Sequence, residues 1–174
     1  MPETPSVPDT VDRVRELDEL PDDEADRLLR ACCASTAWVT RVRAGRPYAR
    51  RERLLDAAER ACRELSPADV DEALAAHPRI GERAHGTGTE ATWSRQEQAS
   101  VSDAATRRRL RERNLAYEQR FDRVFLVRAA GRTPAQMLAE LERRLGNDPQ
   151  AEQEEVVEQL AQITRLRVAK LLEP

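Results

Sequence analysis

Helical spacing of apolar residues constrains the fold of this chain more than any other feature of its sequence. Apolar residues recur at intervals of three and four through most of the 174 residues, whereas the alternation typical of strands is nearly absent. The two clearest stripes are Leu28, Cys32 and Val39 in an early helix, and Leu54, Ala58, Ala61 and Leu65 in the next. We therefore predict an all-α fold, a single compact multi-helix domain.

Proline and glycine mark where these helices begin and end. A Ser, Thr or Asp followed by Pro is typical of a helix start, and such pairs occur at Ser66, Thr133 and Asp148. The early helix should close at residues 45–47, which read Gly-Arg-Pro. The helix that starts at Ser66 should end before Pro78, because the residue ahead of a proline disfavours the α region. His77 is thus expected at the C-terminal edge of a helix.

Three segments lack helical periodicity. Residues 1–10 contain three prolines and are predicted to be a disordered tail, so that residues 11–174 make up the domain. Residues 79–93 contain three glycines and are predicted to be a long loop, followed by a short helix at Ser94 and a long one from about Asp103 toward Phe121. Val124–Val127 is a β-prone run, and we predict one short extended segment near residues 124–128.

Composition and charge exclude several classes of function. The chain has 29 basic and 32 acidic residues, a net charge of −3, and acids flank its most basic run, so a nucleic-acid partner is not expected. It lacks a long apolar run, and its first ten residues do not resemble a signal peptide, so we expect a cytoplasmic protein with no membrane partner. Its three cysteines are predicted to be free thiols.

Motifs for common site chemistries are also missing. The sequence contains no GxSxG, no GxxxxGK[ST] and no GxGxxG, and Cys32 and Cys33 lie on an apolar stripe where small buried thiols are ordinary. The two histidines are His77 and His85. A zinc site built on both would need a carboxylate ligand from the glycine-containing loop, and no motif with zinc-ligand spacing is present, so we predict no metal.

His77 and Glu97 are candidate members of one cleft. His77 precedes the glycine-containing loop, and Glu97 lies 20 residues later, at the start of the helix that closes it. Each residue also has a structural explanation. Ser94 and Glu97 form an S-x-x-E capping box, and a histidine at a helix C-terminus interacts favourably with the helix dipole.

Arg167 interrupts the apolar stripe of the last helix. Val156, Leu160, Ile163 and Leu171 follow helical steps, and Arg167 fills the gap on the same face. A guanidinium at such a position must either extend to solvent or meet an anion, and a substrate carboxylate matches its planar donors. Arg165 falls off this stripe, and we expect it to be solvated.

Several motifs resemble the OHCU decarboxylase family, whose full name is 2-oxo-4-hydroxy-4-carboxy-5-ureidoimidazoline decarboxylase, of urate degradation. The resemblance rests on HPRIGE from His77, WSRQEQA from Trp93, a long match from Phe125 to Glu152, and a final IxxxR ending at Arg167. It extends to the CCAS segment with Trp38 and to RPY at Arg46, and it spans about residues 15–172.

This resemblance implies a fold, an activity and a site. It implies an all-α enzyme, often a homodimer, that produces (S)-allantoin and CO₂ from a small-molecule substrate without metal or organic cofactor. It makes His77 the general acid/base, Glu97 its partner and Arg167 the substrate clamp. The residues that it assigns to substrate binding are Pro78, Ser94, Gln98, Phe125, Leu126 and Val127. A carboxylate near His77 would favour its protonated form near neutral pH.

The chain departs from the family pattern just before Phe125. Family members commonly have glycine and then an aromatic residue where this chain has Asp122 and Arg123. Two other functions therefore stay open, a decarboxylase for a related ureido acid and a catalytically silent helical interaction protein of the same descent. An intact set of His77, Glu97 and Arg167 favours the enzyme.

Overall fold

The computed structural model describes residues 9–80 and 104–173, and these residues are folded as helices and connecting segments with no strand. The prediction of an all-α fold is confirmed. The helices in the described ranges are α1 (Asp9–Glu19), α2 (Asp22–Cys32), α3 (Thr36–Ala44), α4 (Arg51–Arg63), α5 (Pro67–Ala75), α6 (Ala104–Phe121), α7 (Pro134–Arg144) and α8 (Pro149–Leu171).

The prediction of one early helix is wrong, because the chain forms two. Cys33 is extended at the end of α2, and the Ser35 hydroxyl accepts a hydrogen bond from the Trp38 backbone N–H to cap α3. The break turns a different face of α2 toward the core. Leu29 is fully buried, whereas Leu28, which we assigned to the stripe, is 40% exposed.

Helix α1 begins at Asp9, inside the stretch that we predicted to be a tail, and residues 1–8 lie outside the described residues. Arg46 holds the C-terminal end of α1. Its Nη1 donates to the carbonyls of Leu17 and Leu20, both at 2.8 Å, and its Nη2 donates to Asp22 at 2.6 Å. The RPY motif thus joins α1 to the rest of the fold.

The larger hydrophobic cluster surrounds α4 and α8, which make the most extensive helix-to-helix contact. Leu54, Ala58 and Ala61 of α4 are buried, as their spacing predicts, and so are Val156, Leu160 and Ile163 of α8. At the end of α8 the prediction shifts by one residue, because Leu172 is buried and Leu171 is only partly so. Trp38 packs inside this cluster and donates from Nε1 to the Ala58 carbonyl at 2.9 Å.

A second hydrophobic cluster joins α6 and α7 to the segment between them. Residues 124–129, which we call the connector, are neither helix nor strand. They form the longest buried non-helical run among the described residues, and the predicted extended segment lies there. Phe125 and Val127 pack in the second cluster and Leu126 in the larger one. The connector therefore lies between the two clusters.

None of the described helices combines the length and the apolar character needed to cross a lipid bilayer. The prediction of free thiols is confirmed, since Cys32, Cys33 and Cys62 are all reduced and buried.

Candidate active site

His77 occupies the first turn after α5, as predicted. A reciprocal capping box between Ser66 and Asp69 starts α5, and the His77 backbone N–H donates to the Leu74 carbonyl at 2.9 Å as the helix ends. Both His77 and Pro78 are half-buried. The capping sequence and the proline thus fix where the imidazole leaves the helix.

Helix α6 anchors the residues that follow His77. The Arg79 guanidinium forms a two-pronged ion pair with Glu118, with its Nη2 at 2.8 Å from the carboxylate. The Asn114 amide donates to the Ile80 carbonyl at 3.0 Å. These contacts tie the His77 segment to the second hydrophobic cluster, in which Ile80 is buried.

Arg167 is buried on the inward face of α8 with 1% of its surface exposed, as its position in the stripe predicts. Its positive charge acts on His77 and on the thiols of Cys32 and Cys33, so these groups share one interior region. Burial raises the pKa of Cys32 to about 12 despite that charge, which leaves the thiol protonated and unreactive.

The His77 imidazole is held in its neutral form. Burial, and then the positive charge of Arg167, lower the pKa of His77 from 6.5 to about 3. Both causes penalise the charged form, whereas the protonated imidazole that we expect depends on the carboxylate of Glu97, which lies outside the described residues. A neutral imidazole at pH 7 has a lone pair that can accept a proton.

The connector packs against α8 through its backbone. On α8, Gln159 accepts a hydrogen bond from the Arg128 N–H at 2.8 Å, two helical turns before Arg167. Within the described part of the chain, no hydrogen bond reaches the backbone of Phe125 or Val127. Buried backbone groups are normally bonded, so two residues of a largely buried segment without backbone hydrogen bonds are unusual.

The left-handed conformation of Asp122 explains the departure from the family pattern ahead of the connector. Its φ is +53°, a conformation in which glycine is unstrained and in which Asp is one of the better tolerated alternatives. Arg123 then binds the Gln153 side chain and lies 3.5 Å from the Asp71 carboxylate. The turn that glycine would make is thus made with Asp122.

Of the predicted site residues, the structure brings together His77 and Arg167, and Pro78 follows His77 directly. Ser94, Glu97 and Gln98 lie outside the described residues, as do His85 and most of the predicted loop. Arg165, which we expected to be solvated, is half-buried and donates to Asp56 and Glu59 of α4, each at 2.8 Å. Residues 9–80 and 104–173 contain no cluster of acids, histidines and cysteines suited to a metal ion.

A buried charged network beside the connector was missed by the sequence analysis. Arg144 is 0% and Glu152 is 1% exposed, and they form an ion pair with an Nε to Oε1 distance of 2.9 Å. The signal was present, because Met137, Leu141 and Arg144 have the same stripe spacing that identified Arg167.

Comparisons with known proteins agree on one family. A family model described as OHCU decarboxylase matches residues 18–169. The uric acid degradation bifunctional protein TTL of Arabidopsis thaliana is 30% identical over 151 residues, 82% of this chain but only 45% of that protein. The 2-oxo-4-hydroxy-4-carboxy-5-ureidoimidazoline decarboxylase of Haloferax volcanii is 30% identical over 138 residues, 76% of this chain and 80% of that protein.

Solved structures show the same fold. A crystal structure of OHCU decarboxylase in the presence of (S)-allantoin matches with a TM-score of 0.73 and 27% identity, over 88% of this chain and 99% of that one. A crystal structure of (S)-allantoin synthase matches with a TM-score of 0.68 over 91% of this chain and 53% of that one. At 19% identity, the second match bears on the fold alone.

Proposed function

Because the chain belongs to the OHCU decarboxylase family, we propose that it decarboxylates 2-oxo-4-hydroxy-4-carboxy-5-ureidoimidazoline to (S)-allantoin, as a carboxy-lyase of urate and purine degradation. The observation that carries the proposal is a buried arginine, Arg167, whose charge reaches a neutral histidine, His77. The substrate has a carboxylate that Arg167 can bind and a labile proton that His77 can accept.

Arg167 is proposed to clamp the substrate. A guanidinium in a site with little water binds a carboxylate through parallel, charge-assisted hydrogen bonds, which fixes the orientation of the anion as well as its position. Because Arg167 is rigidly placed on α8, the bond that breaks is held at a constant position relative to His77.

His77 is proposed to be the general acid/base. Loss of CO₂ leaves the bonding electron pair in the ring, where it forms a double bond between C4 and C5, and the nitrogen of the former C=N bond takes a proton from water. The 4-hydroxyl proton then leaves as C4 becomes a carbonyl, and C5 takes a proton. A neutral imidazole accepts the hydroxyl proton and delivers a proton to C5 from one face only, which produces a single enantiomer.

The other predicted site residues are proposed to hold the substrate around these two groups. Glu97 would orient the imidazole, Ser94 and Gln98 would bind the ureido and ring amides, and Pro78 would shape the wall of the pocket. Fixed donors of this kind stabilise charge that develops on the ring. The unbonded backbone of Phe125 and Val127, on either side of Leu126, supports a binding role for the connector. None of these roles requires a metal or an organic cofactor.

Circular dichroism of freshly generated substrate tests the proposal directly. Spontaneous decay gives racemic allantoin, so the protein should produce both a faster reaction and a growing signal of the S enantiomer. His77→Ala should lower the rate by about 10²- to 10⁴-fold, the usual contribution of a general acid/base. A racemic product formed at the spontaneous rate would favour a silent interaction protein, and turnover of another ureido acid alone would favour the related decarboxylase.

We also propose that the protein is a cytoplasmic homodimer. Leu28 of α2 and Leu115 of α6 are large apolar side chains with 40% and 54% of their surface exposed, which makes their faces candidate contacts between copies. Light scattering should give twice the mass of one chain, and Leu28→Glu or Leu115→Glu should reduce the measured mass to that of one chain. A monomeric wild-type protein would contradict the proposal.

A further inference from the structure

A buried ion pair lies at the junction of α6, α7 and α8. Arg144 and Glu152 are both within 1% of full burial, and Glu152 also accepts hydrogen bonds from the Tyr117 hydroxyl and, at 2.9 Å, from the Asn147 amide. The Glu152 carboxylate is therefore satisfied from three directions.

Stability alone does not explain this arrangement. Removing two charges from water is expensive, and apolar side chains of similar volume stabilise a fold equally well in many proteins. The remaining contacts of Arg144 are more informative. Its Nη1 donates to the Leu126 carbonyl at 2.6 Å, and its guanidinium carbon lies 4.7 Å from the centre of the Phe125 ring.

Both contacts are with the connector, which has no helical or strand hydrogen bonds to hold it. Arg144 fixes Leu126 from one side, and Gln159 fixes the Arg128 N–H from the other. The peptide groups between these two points are those of Val127, whose backbone has no partner in the described residues.

We propose that Arg144, held by Glu152, is a positioning residue that sets the place of the connector backbone for substrate binding. The inference rests on the proposed function. Arg144 does not touch the reacting atoms, and it acts through the Leu126 carbonyl and the Phe125 ring.

A double variant, Arg144→Met with Glu152→Gln, tests this inference. It removes both charges together, and the amide of glutamine still accepts from the Tyr117 hydroxyl, so no buried ion is stranded. Arg143→Met is the matched control, because Arg143 is the neighbouring residue on α7 and its ion pairs with Glu140 and Glu155 lie at the surface. Kinetics at saturating and limiting substrate give kcat and KM for each protein.

We expect kcat/KM of the double variant to fall at least tenfold, while that of Arg143→Met stays within twofold of wild type. Hydrogen exchange of peptides covering residues 124–129, measured without substrate, should be faster in the double variant alone. Arg46→Lys lowers the melting temperature by weakening the hydrogen bonds of Arg46 to Leu17, Leu20 and Asp22 at the end of α1, and none of these residues is in the connector. It should keep wild-type kcat/KM and wild-type connector exchange below that temperature.

Wild-type kcat/KM and wild-type connector exchange in the double variant would overturn the inference. If the double variant does not fold, Arg144→Lys takes its place, because lysine keeps the charge beside Glu152 but lacks the fork that also reaches Leu126. An inactive wild-type protein would instead contradict the proposed function, and connector exchange would still report whether Arg144 holds the segment.

Discussion

The surroundings of His77 disfavour the protonated form of its imidazole. Burial and the charge of Arg167 lower its pKa to about 3, whereas an exposed histidine in the unfolded chain titrates near 6.5. Between these values the unfolded state binds more protons than the folded state. The contribution of His77 to stability is therefore fully present above pH 6.5 and is lost as the pH falls toward 3.

Urea unfolding at several pH values checks this prediction. The free energy of unfolding of wild type, minus that of His77→Gln, should decrease as the pH is lowered from 7 to 4. The subtraction removes the titration of the carboxylates, which both proteins share. A difference that is constant or that grows on acidification would mean that His77 is protonated in the folded protein.

Arg167 and Arg165 form a matched pair on the same helix. Arg167→Lys keeps the charge but loses the planar fork, so we expect weaker binding of (S)-allantoin and at least a tenfold loss of kcat/KM. Arg165→Lys should retain both, because the ion pairs that Arg165 forms in the described part of the chain are with Asp56 and Glu59 of α4. Calorimetric titration and initial rates provide the comparison, and equal effects of the two substitutions would contradict the role of Arg167.

Asp122 carries local strain that glycine would remove. In the left-handed region a side chain costs about 1 kcal/mol or more relative to glycine. We therefore expect Asp122→Gly to raise the free energy of unfolding by up to about 1 kcal/mol in urea titrations. Gly131→Ala is the reverse test, since its φ is +77° with open space around it, and it should lower stability by a similar amount. A stabilising Gly131→Ala would contradict the reasoning.

At the scale of elements, α1 depends on one side chain from a later loop. The Arg46 guanidinium is 11% exposed and binds two carbonyls at the end of α1 together with Asp22. The single ammonium group of a lysine cannot reach all three acceptors. We therefore expect Arg46→Lys to lower the free energy of unfolding by about 1–3 kcal/mol. Arg27→Lys, in an exposed pair with Asp23, should change it by less than about 0.5 kcal/mol. Equal losses in the two variants would contradict this account of α1.

The helices that were predicted best are those whose ends carry a cap and a proline. Ser66, Thr133 and Asp148 all accept backbone N–H bonds where expected, because these interactions involve neighbours in sequence. The break between α2 and α3 has no proline or glycine. It depends on Ser35 and on how Trp38 packs against α4, a contact 20 residues away that helical spacing does not reveal.

The candidate site was predictable in part for the same reason. The buried position of Arg167 follows from the apolar stripe of α8, and the position of His77 follows from the end of α5. The pKa of His77 and the role of Arg144 depend on which distant groups pack nearby, and an isolated sequence pattern does not specify that. Arg144 was nevertheless detectable as a charge within a stripe.

At the scale of the whole molecule, two hydrophobic clusters meet along a segment with no regular structure. The larger cluster holds α4 and α8 together, and the second holds α6 and α7. Leu126 belongs to the first and its two neighbours to the second, so the connector is packed into both clusters. A segment without helix or strand thus joins the two clusters in the described part of the chain.

The three buried cysteine thiols can report on opening of the folded protein. Cys32, Cys33 and Cys62 have at most 1% of their surface exposed, so a thiol reagent such as an aromatic disulfide can reach them only when the molecule opens. We expect the rate of thiol labelling to follow the opening equilibrium, so that labelling is slow in buffer and becomes faster as urea is added. The experiment needs no fluorescent dye attached to the protein. Mass spectrometry of digested samples would then measure the opening of α2 and of α4 separately. Immediate reaction of any one cysteine would show that its thiol is not buried.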